Sequence, residues 1–123
     1  MSLTIAAMPA YNEERSIARM VLGCKKHVDR VVVVDDGSSD ATAEIAAALG
    51  AEVVRHERNM GYGAALRSCF EAARRMGAER MVIIDSDGQH DASDIPRLLS
   101  PLKHLPGCPG VNASTTKSQR RTK

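Results

Sequence analysis

Two carboxylates one residue apart, Asp85 and Asp87, follow directly on a short apolar run at residues 81–84 (MVII). The run is partly β-branched, which is typical of a strand covered on both faces. Where such a strand ends, both carboxylates can turn towards one hard divalent cation, as in proteins that hold a metal against a diphosphate. The alternative from these residues alone is a polar turn after a strand, since turns also prefer Asp, Ser and Gly.

Three further polar clusters occupy corresponding places after earlier apolar runs. They are residues 9–13 (PAYNE), 35–40 (DDGSSD) and 59–63 (NMGYG). Ligands of open parallel sheets bind outside the carboxyl ends of the strands, so we expect all four clusters around one rim. There Asp36 can accept a hydrogen bond from the N–H edge of uracil or guanine, and Tyr11 can lie against a base. Gly61 and Gly63 let the backbone pass close to a ligand. A capping turn is the alternative for residues 35–38.

The apolar patterns alternate between strands and helices. Strands are predicted at residues 3–8, where Pro9 should end the first, and at residues 31–34, 51–56 and 81–84. Helical stripes are predicted from near Asn12, from an Asp40 cap to residue 49, from residue 66 to a stop at Gly77, and over residues 93–102. Short connections between alternating elements predict an α/β fold, a Rossmann-like three-layer sandwich with a mainly parallel sheet.

The composition limits the classes of function. A chain of 123 residues with 43% hydrophobic content can bury one core, so one domain is expected. With no Trp and one Phe, it has no aromatic stacking platform for nucleic acid. All 15 acidic residues lie at or before Asp94, so the body is mildly acidic and no nucleic-acid partner is expected. Three widely spaced cysteines and the lack of a long apolar run favour a cytoplasmic location.

The character of the chain changes near Ser100. Residues 1–100 are predicted to form the folded domain. Residues 101–123 are interrupted by Pro and Gly and close on a basic end without apolar residues, which predicts an irregular or disordered basic tail. A short parallel sheet also leaves an open edge, so we expect self-association into a homo-oligomer.

Together the four clusters resemble the motifs of a family 2 glycosyltransferase of the GT-A type. The matching residues are 9–14 (PAYNEE), 32–40 (VVVDDGSSD), Asn59 with 61–65 (GYGAA), and 85–90 (DSDGQH). The similarity runs from about residue 3 to residue 99 in the family's order and spacing. It is closest to the dolichyl-phosphate mannosyltransferases and polyprenyl-phosphate glycosyltransferases. The resemblance covers the N-terminal, donor-binding half of such an enzyme and implies a truncated GT-A fold.

The resemblance implies transfer of a hexose from a nucleoside-diphosphate sugar, of the GDP-mannose or UDP-glucose type. The implied donor-binding residues are Pro9, Tyr11, Glu13, Asp36, Gly61 and Asp85. Asp85 and Asp87 would hold Mg2+ or Mn2+ against the donor diphosphate, with Gln89 close by. Similar enzymes use a lipid phosphate as acceptor, so the implied acceptor is a polyprenyl phosphate at the cytoplasmic face of a membrane.

The chain departs from the family after residue 99, where similar enzymes continue with strands that hold the acceptor. Residues 103–123 lack that pattern, so no acceptor-side catalytic residue can be assigned. A catalytically inactive donor-binding fragment is therefore an alternative function. A second alternative is a haloacid-dehalogenase-like phosphatase, in which Asp85 would be the nucleophile and Asp87 the general acid. That chemistry requires an acidic pair further downstream, and no acidic residue follows Asp94.

Overall fold

The strands form one parallel sheet in the computed structural model, which describes residues 3–85 and 112–115. In chain order the elements are β1 (Thr4–Ala10), α1 (Ile17–Lys25), β2 (Arg30–Asp35), α2 (Thr42–Ala48), β3 (Glu52–Arg55), α3 (Tyr62–Met76), β4 (Arg80–Ile83) and β5 (Asn112–Thr115). The strand order is β3-β2-β1-β4-β5, and each neighbouring pair is parallel. The predicted fold class is confirmed. The helix predicted over residues 93–102 lies outside the described residues.

Both faces of the sheet are covered, and the alternation of side chains along each strand divides the core in two. The first cluster joins α1 and α2 to one face, where Met8, Val33 and Val82 are fully buried. The second joins α3 to the opposite face, where Ile5 and Val32 are fully buried. This burial on both faces explains why the strands read as continuous apolar runs rather than alternating ones. No helix within the described residues has the length and hydropathy needed to span a membrane.

The prediction that Pro9 ends the first strand is wrong. β1 continues to Ala10, and Pro9 pairs in register with Val34 of β2. On the other side of β1, β4 ends at Ile83, which pairs with Ala7, so Pro9 lies beyond the end of that ladder. A proline has no N–H to donate, and it is tolerated where the neighbouring strand has already ended.

The first helix begins later than predicted because of the backbone at Asn12. This residue has φ of 54°, in the left-handed region that a helix cannot include. Residues 14–16 form a turn, in which the Glu13 carbonyl accepts hydrogen bonds from the N–H groups of Ser16 (3.0 Å) and Ile17 (2.9 Å). Helix α1 then starts at Ile17, and the predicted stripe of Ile17, Met20, Val21 and Cys24 is buried.

The predicted tail contains one regular element that its composition did not indicate. Residues Asn112–Thr115 form β5, which pairs in parallel with β4 through the register Arg80↔Asn112 to Ile83↔Thr115. A strand edge offers unpaired backbone N–H and C=O groups whatever the side chains are, so a segment without an apolar pattern can extend the sheet. The irregular character predicted for the rest of residues 101–123 concerns residues that the structure does not describe.

Candidate functional site

The carboxyl ends of the central strands lie level with one another and carry the predicted polar clusters. Ala10 of β1 pairs with Asp35 of β2, and Asp35 pairs with Arg55 of β3. Asp36 and His56 are the residues that follow β2 and β3, and Asp85 lies just beyond β4. The six predicted donor-side residues are all within the described part of the chain, at or just past these strand ends or at the start of α3. Asp87 and Gln89 lie outside it.

The carboxylate of Asp36 joins the end of β2 to the loop between β3 and α3. It is buried, and its Oδ1 accepts hydrogen bonds from His56 Nδ1 (2.7 Å) and the Met60 N–H (2.9 Å). Its Oδ2 accepts one from the Gly61 N–H (2.9 Å). Burial alone would raise the pKa of Asp36, but the hydrogen bonds from His56, Met60 and Gly61 and the charge attraction to His56 outweigh burial and lower it. Asp36 is therefore held ionised at the rim.

Glycine at position 61 is explained by backbone conformation. Gly61 is the N-cap of α3 and has φ of 102°, which side chains other than hydrogen rarely allow. A Cβ at this position would meet nothing within 4 Å, so the requirement is conformational rather than steric. The N-terminal end of α3, with its partial positive charge, is thereby directed at Asp36.

His56, which the motifs of the sequence did not single out as a site residue, lies between Asp36 and helix α3. Its side chain is only 11% exposed, and its Nε2 lies 2.8 Å from Ser68 Oγ of α3, while its Nδ1 contacts Asp36. The signal available in the sequence was position, since His56 follows β3 directly and so shares the rim with Asp36. Ser68 offered no such signal, because it lies two turns into a helix.

Asp35, the neighbour of Asp36, has a structural role. It is fully buried, its Oδ2 lies 3.3 Å from Arg55 Nε, and its Oδ1 accepts hydrogen bonds from the N–H (3.2 Å) and hydroxyl of Ser38. Arg55 also donates to the Ser38 carbonyl (3.3 Å). The ion pair and the turn after β2 share the Asp35 carboxylate, as the turn interpretation of residues 35–38 predicts, although neither Asp35 nor Ser38 caps α2, whose N-cap is Ala41.

Tyr11 and Glu13 are presented by a loop that is tied to the turn after β2. The Asn12 N–H donates to Ser38 Oγ (2.8 Å), and Asn12 Oδ1 accepts from the Ser39 N–H (2.9 Å). The Glu13 N–H donates to Thr42 Oγ1 (2.9 Å). Tyr11 is 46% exposed, so its ring is accessible at the rim, and Glu13 is half-buried. The two loops thus form one hydrogen-bonded unit beside Asp36.

Asp85 is the described half of the predicted metal pair. It lies two residues after the last residue of β4, Ile83, and its exposure is 7%. A carboxylate at a strand's carboxyl end supplies the hard oxygen ligand that Mg2+ and Mn2+ prefer, so Asp85 fits such a metal. Over residues 3–85 and 112–115, no three His, Cys, Asp or Glu side chains are grouped to hold a metal. The other two predicted residues of this site, Asp87 and Gln89, belong to the segment that is not described.

A parallel sheet with helices on both faces and an acidic, glycine-containing rim defines a Rossmann-like domain of the GT-A type. Residues 5–121 match the family described as glycosyl transferase family 2. The chain belongs to this family and is a glycosyltransferase by family, which confirms the resemblance seen in its motifs. The phosphatase alternative is not favoured.

Two relatives with named activities illustrate the match. The UDP-N-acetylglucosamine--dolichyl-phosphate N-acetylglucosaminyltransferase of Methanococcus voltae is 34% identical over 113 residues, which covers 77% of this chain and 45% of that protein. The polyprenol monophosphomannose synthase of Mycolicibacterium smegmatis is 31% identical over 105 residues, covering 78% and 39%. The chain therefore spans less than half the length of these relatives.

Solved structures give the same picture of the fold. Glucosyl-3-phosphoglycerate synthase from Mycobacterium tuberculosis, in complex with Mn2+, UDP and glucosyl-3-phosphoglycerate, superimposes with a TM-score of 0.67 at 29% identity. The match covers 81% of this chain and 39% of the synthase. The same enzyme has been solved with Mn2+, UDP-glucose and phosphoglyceric acid, at the same TM-score.

Proposed function

We propose that this chain forms the donor-binding part of a glycosyltransferase that moves a hexose from a nucleoside-diphosphate sugar to a polyprenyl phosphate. The observation that carries the proposal is Asp36, an ionised carboxylate held at the carboxyl-end rim of the sheet beside an exposed tyrosine. Such a carboxylate can accept the N–H of a nucleobase, and the accessible ring of Tyr11 can lie against that base. The UDP-bound structures of a related fold and the lipid-phosphate relatives support this choice.

The residues around Asp36 have distinct proposed roles in donor binding. Pro9 and Glu13 border the ribose side of the site, because they flank the loop that presents Tyr11. Gly61 starts α3, so the positive end of this helix faces the donor side of the rim. Asp85 and Asp87, with Gln89 close by, would hold Mg2+ or Mn2+ against the diphosphate. When bound, the metal offsets negative charge on the departing nucleoside diphosphate.

The proposed acceptor reduces the demand on the protein for acid–base chemistry. A polyprenyl phosphate is already ionised near neutral pH, so its oxygen needs little deprotonation before it attacks the anomeric carbon. The chain's own contribution is then to bind and orient the donor. The location proposed for this reaction is the cytoplasmic face of a membrane.

Donor binding is tested by calorimetric titration of the chain with UDP, GDP, UDP-glucose and GDP-mannose, each with and without Mn2+. We expect metal-dependent binding that Asp87→Ala abolishes, because the mutation removes one of the two carboxylates that would hold the metal. Glu79→Ala is the matched control, since this exposed carboxylate precedes β4 at the opposite end of the sheet and should leave binding unchanged. Binding to none of the nucleotides would contradict the proposal.

Transfer is measured separately from binding, because the chain spans less than half the length of its relatives. Incubation with radiolabelled donor and polyprenyl phosphate, followed by organic extraction, reports transfer directly. Label in the organic phase supports the transferase function. Metal-dependent donor binding without labelled lipid would instead support the alternative of a chain that binds the donor and catalyses nothing.

A further inference from the structure

A hydrogen-bonded chain of three side chains runs from α3 to the proposed donor site. Ser68 Oγ lies 2.8 Å from His56 Nε2, and His56 Nδ1 lies 2.7 Å from Asp36 Oδ1. His56 is nearly buried, and its backbone is also fixed, since its N–H donates to the Asp35 carbonyl (2.9 Å). The histidine therefore has little freedom to turn away from Asp36.

The direction of these hydrogen bonds follows from the chemistry of the partners. An ionised Asp36 can only accept, so His56 Nδ1 must carry the hydrogen and donate it. Nε2 can bond to the Ser68 hydroxyl in either state of the ring, because a hydroxyl donates to a neutral imidazole and accepts from an imidazolium. Asp36 thus places a hydrogen on Nδ1, and Ser68 holds the ring from its other side, in the way that an outer partner orients a histidine bound to a metal.

This arrangement leaves the two oxygens of Asp36 unequal. Each carboxylate oxygen can accept about two hydrogen bonds. Oδ1 already accepts from His56 and from the Met60 N–H, whereas among residues 3–85 and 112–115 Oδ2 accepts only from the Gly61 N–H. One acceptor position on Oδ2 is left for a base.

The two bases differ in the number of donors that they present to Asp36. Uracil presents a single ring N–H between two carbonyl groups and needs one acceptor. Guanine presents a ring N–H beside an amino group, a pair of donors that matches both oxygens of a free carboxylate.

We propose that His56 is a positioning residue that occupies Oδ1 of Asp36 and so makes the donor site selective for uridine over guanosine diphosphates. The inference rests on the proposed donor-binding function and adds to it the identity of the base. His56 acts through Asp36 and does not itself contact the nucleotide. Ser68 supports it by holding the imidazole in place.

Binding selectivity provides the first test, with Kd for UDP and GDP measured in the presence of Mn2+. We expect the unchanged chain to prefer UDP by about tenfold or more, since guanine would leave a donor unpaired. His56→Ala should weaken UDP binding by about tenfold and reduce the preference, because Oδ1 becomes free for a second donor. His56→Asn, whose amide can still donate to Asp36, should restore most of the preference. Ser68→Ala should cause a smaller loss.

A readout without nucleotide separates this inference from the proposed function. Amide hydrogen exchange at Met60 and Gly61, measured by NMR in the free chain, should be faster in His56→Ala and near normal in His56→Asn. The matched control is His27→Ala, which alters a half-buried histidine after α1 and should change neither exchange nor selectivity. A folded His56→Ala chain with unchanged exchange would overturn the positioning role.

Failure of the proposed donor-binding function and failure of the base selectivity can therefore be distinguished. If the unchanged chain binds no nucleotide, the proposed function and the base preference both fall, while amide exchange still decides whether His56 positions Asp36. If the unchanged chain binds GDP as tightly as UDP, the selectivity is overturned although donor binding stands. A UDP preference that His56→Ala reduces and His56→Asn restores supports the inference in full.

Discussion

Asp35 and Asp36 are adjacent and chemically identical, yet the strand directs them to opposite faces of the sheet. Successive side chains of a strand alternate between faces, and β2 ends between these two residues. Asp35 lies on the side of α2, where Arg55 contacts both it and Glu44 (3.7 Å). Asp36 lies on the side of α3, where it accepts from the start of that helix. The period of the strand thus assigns one carboxylate to the fold and the other to the candidate site.

The lowered pKa of Asp36 predicts a loss of stability in acid. Because the folded-state pKa lies below the unfolded value of about 3.9, the stabilisation is complete above that value and is lost as the pH falls through the folded pKa. Asp36→Asn should lower the free energy of unfolding by about 1–3 kcal/mol near neutral pH, with a smaller difference at about pH 3. Urea denaturation at both pH values measures this.

The control for this prediction is an exposed carboxylate at the sheet edge. Glu52→Gln changes the first residue of β3 and should alter the free energy of unfolding by no more than about 0.5 kcal/mol at either pH. An Asp36→Asn variant whose destabilisation is equal at both pH values would show that the lost contacts, rather than the ionisation of Asp36, account for the effect.

The turn after β2 and the loop before α3 meet at Gly37, where two elements of the rim are in backbone contact. A Cβ at Gly37 would lie 2.3 Å from the Arg58 carbonyl carbon and 2.5 Å from the Asn59 nitrogen, and its φ is 79°. Both atoms belong to the backbone, so the clash cannot be relieved by a change of side-chain rotamer and the loop itself would have to move. The loop that supplies the N–H groups of Met60 and Gly61 to Asp36 therefore depends on a glycine in the preceding turn.

Gly37→Ala should destabilise the chain by about 1–3 kcal/mol and displace the loop at residues 58–61. Thermal unfolding and the amide chemical shifts of Met60 and Gly61 measure the two effects. The matched control is Gly63→Ala in the first turn of α3, where a Cβ meets nothing within 4 Å and alanine favours the helix by up to about 1 kcal/mol. Equal stability of the two variants would contradict a close contact at Gly37.

The elements were predictable from the sequence to the extent that local patterns determine them. The apolar runs that became β2 and β4 and the stripe of α1 were visible because both sheet faces are buried. The persistence of β1 through Pro9 was not visible, since it depends on where β4 ends. The late start of α1 depends on the left-handed Asn12, and β5 depends on an open strand edge.

The candidate site was predictable only in part. Asp36 was identifiable by its motif, whereas the His56–Ser68 contact required the sheet order and the helix packing.

At the scale of the whole molecule, one sheet carries two core clusters within the described part of the chain, one on each face. The strands contribute alternate residues to each side, so Ile5 and Ala7 of β1 belong to one cluster while Ala6 and Met8 belong to the other. Loss of either cluster exposes a face of the same strands. We therefore expect the two faces to unfold together as one cooperative unit.

Each cluster contains one cysteine, which allows the cooperativity to be measured. Cys24 of α1 and Cys69 of α3 are fully buried on opposite faces, and burial raises the pKa of each thiol to about 12. Neither should react with an alkylating reagent in the native state, because the thiolate is the reactive form and neither sulfur is accessible. In increasing urea, mass spectrometry of each cysteine-containing peptide should show both thiols becoming reactive at the same midpoint.

A mutation that destabilises only one of the two clusters tests the cooperativity more strictly. Met20→Ala removes a buried side chain that packs in the cluster of Cys24, and should lower the free energy of unfolding by about 2–5 kcal/mol. If the sheet couples its faces, the labelling midpoint of Cys69 falls by the same amount as that of Cys24, although Cys69 belongs to the other cluster. A shift confined to Cys24 would mean that α1 detaches locally. The donor rim would then rest on a sheet that retains α3 alone, with Asp36 still bonded to the start of that helix.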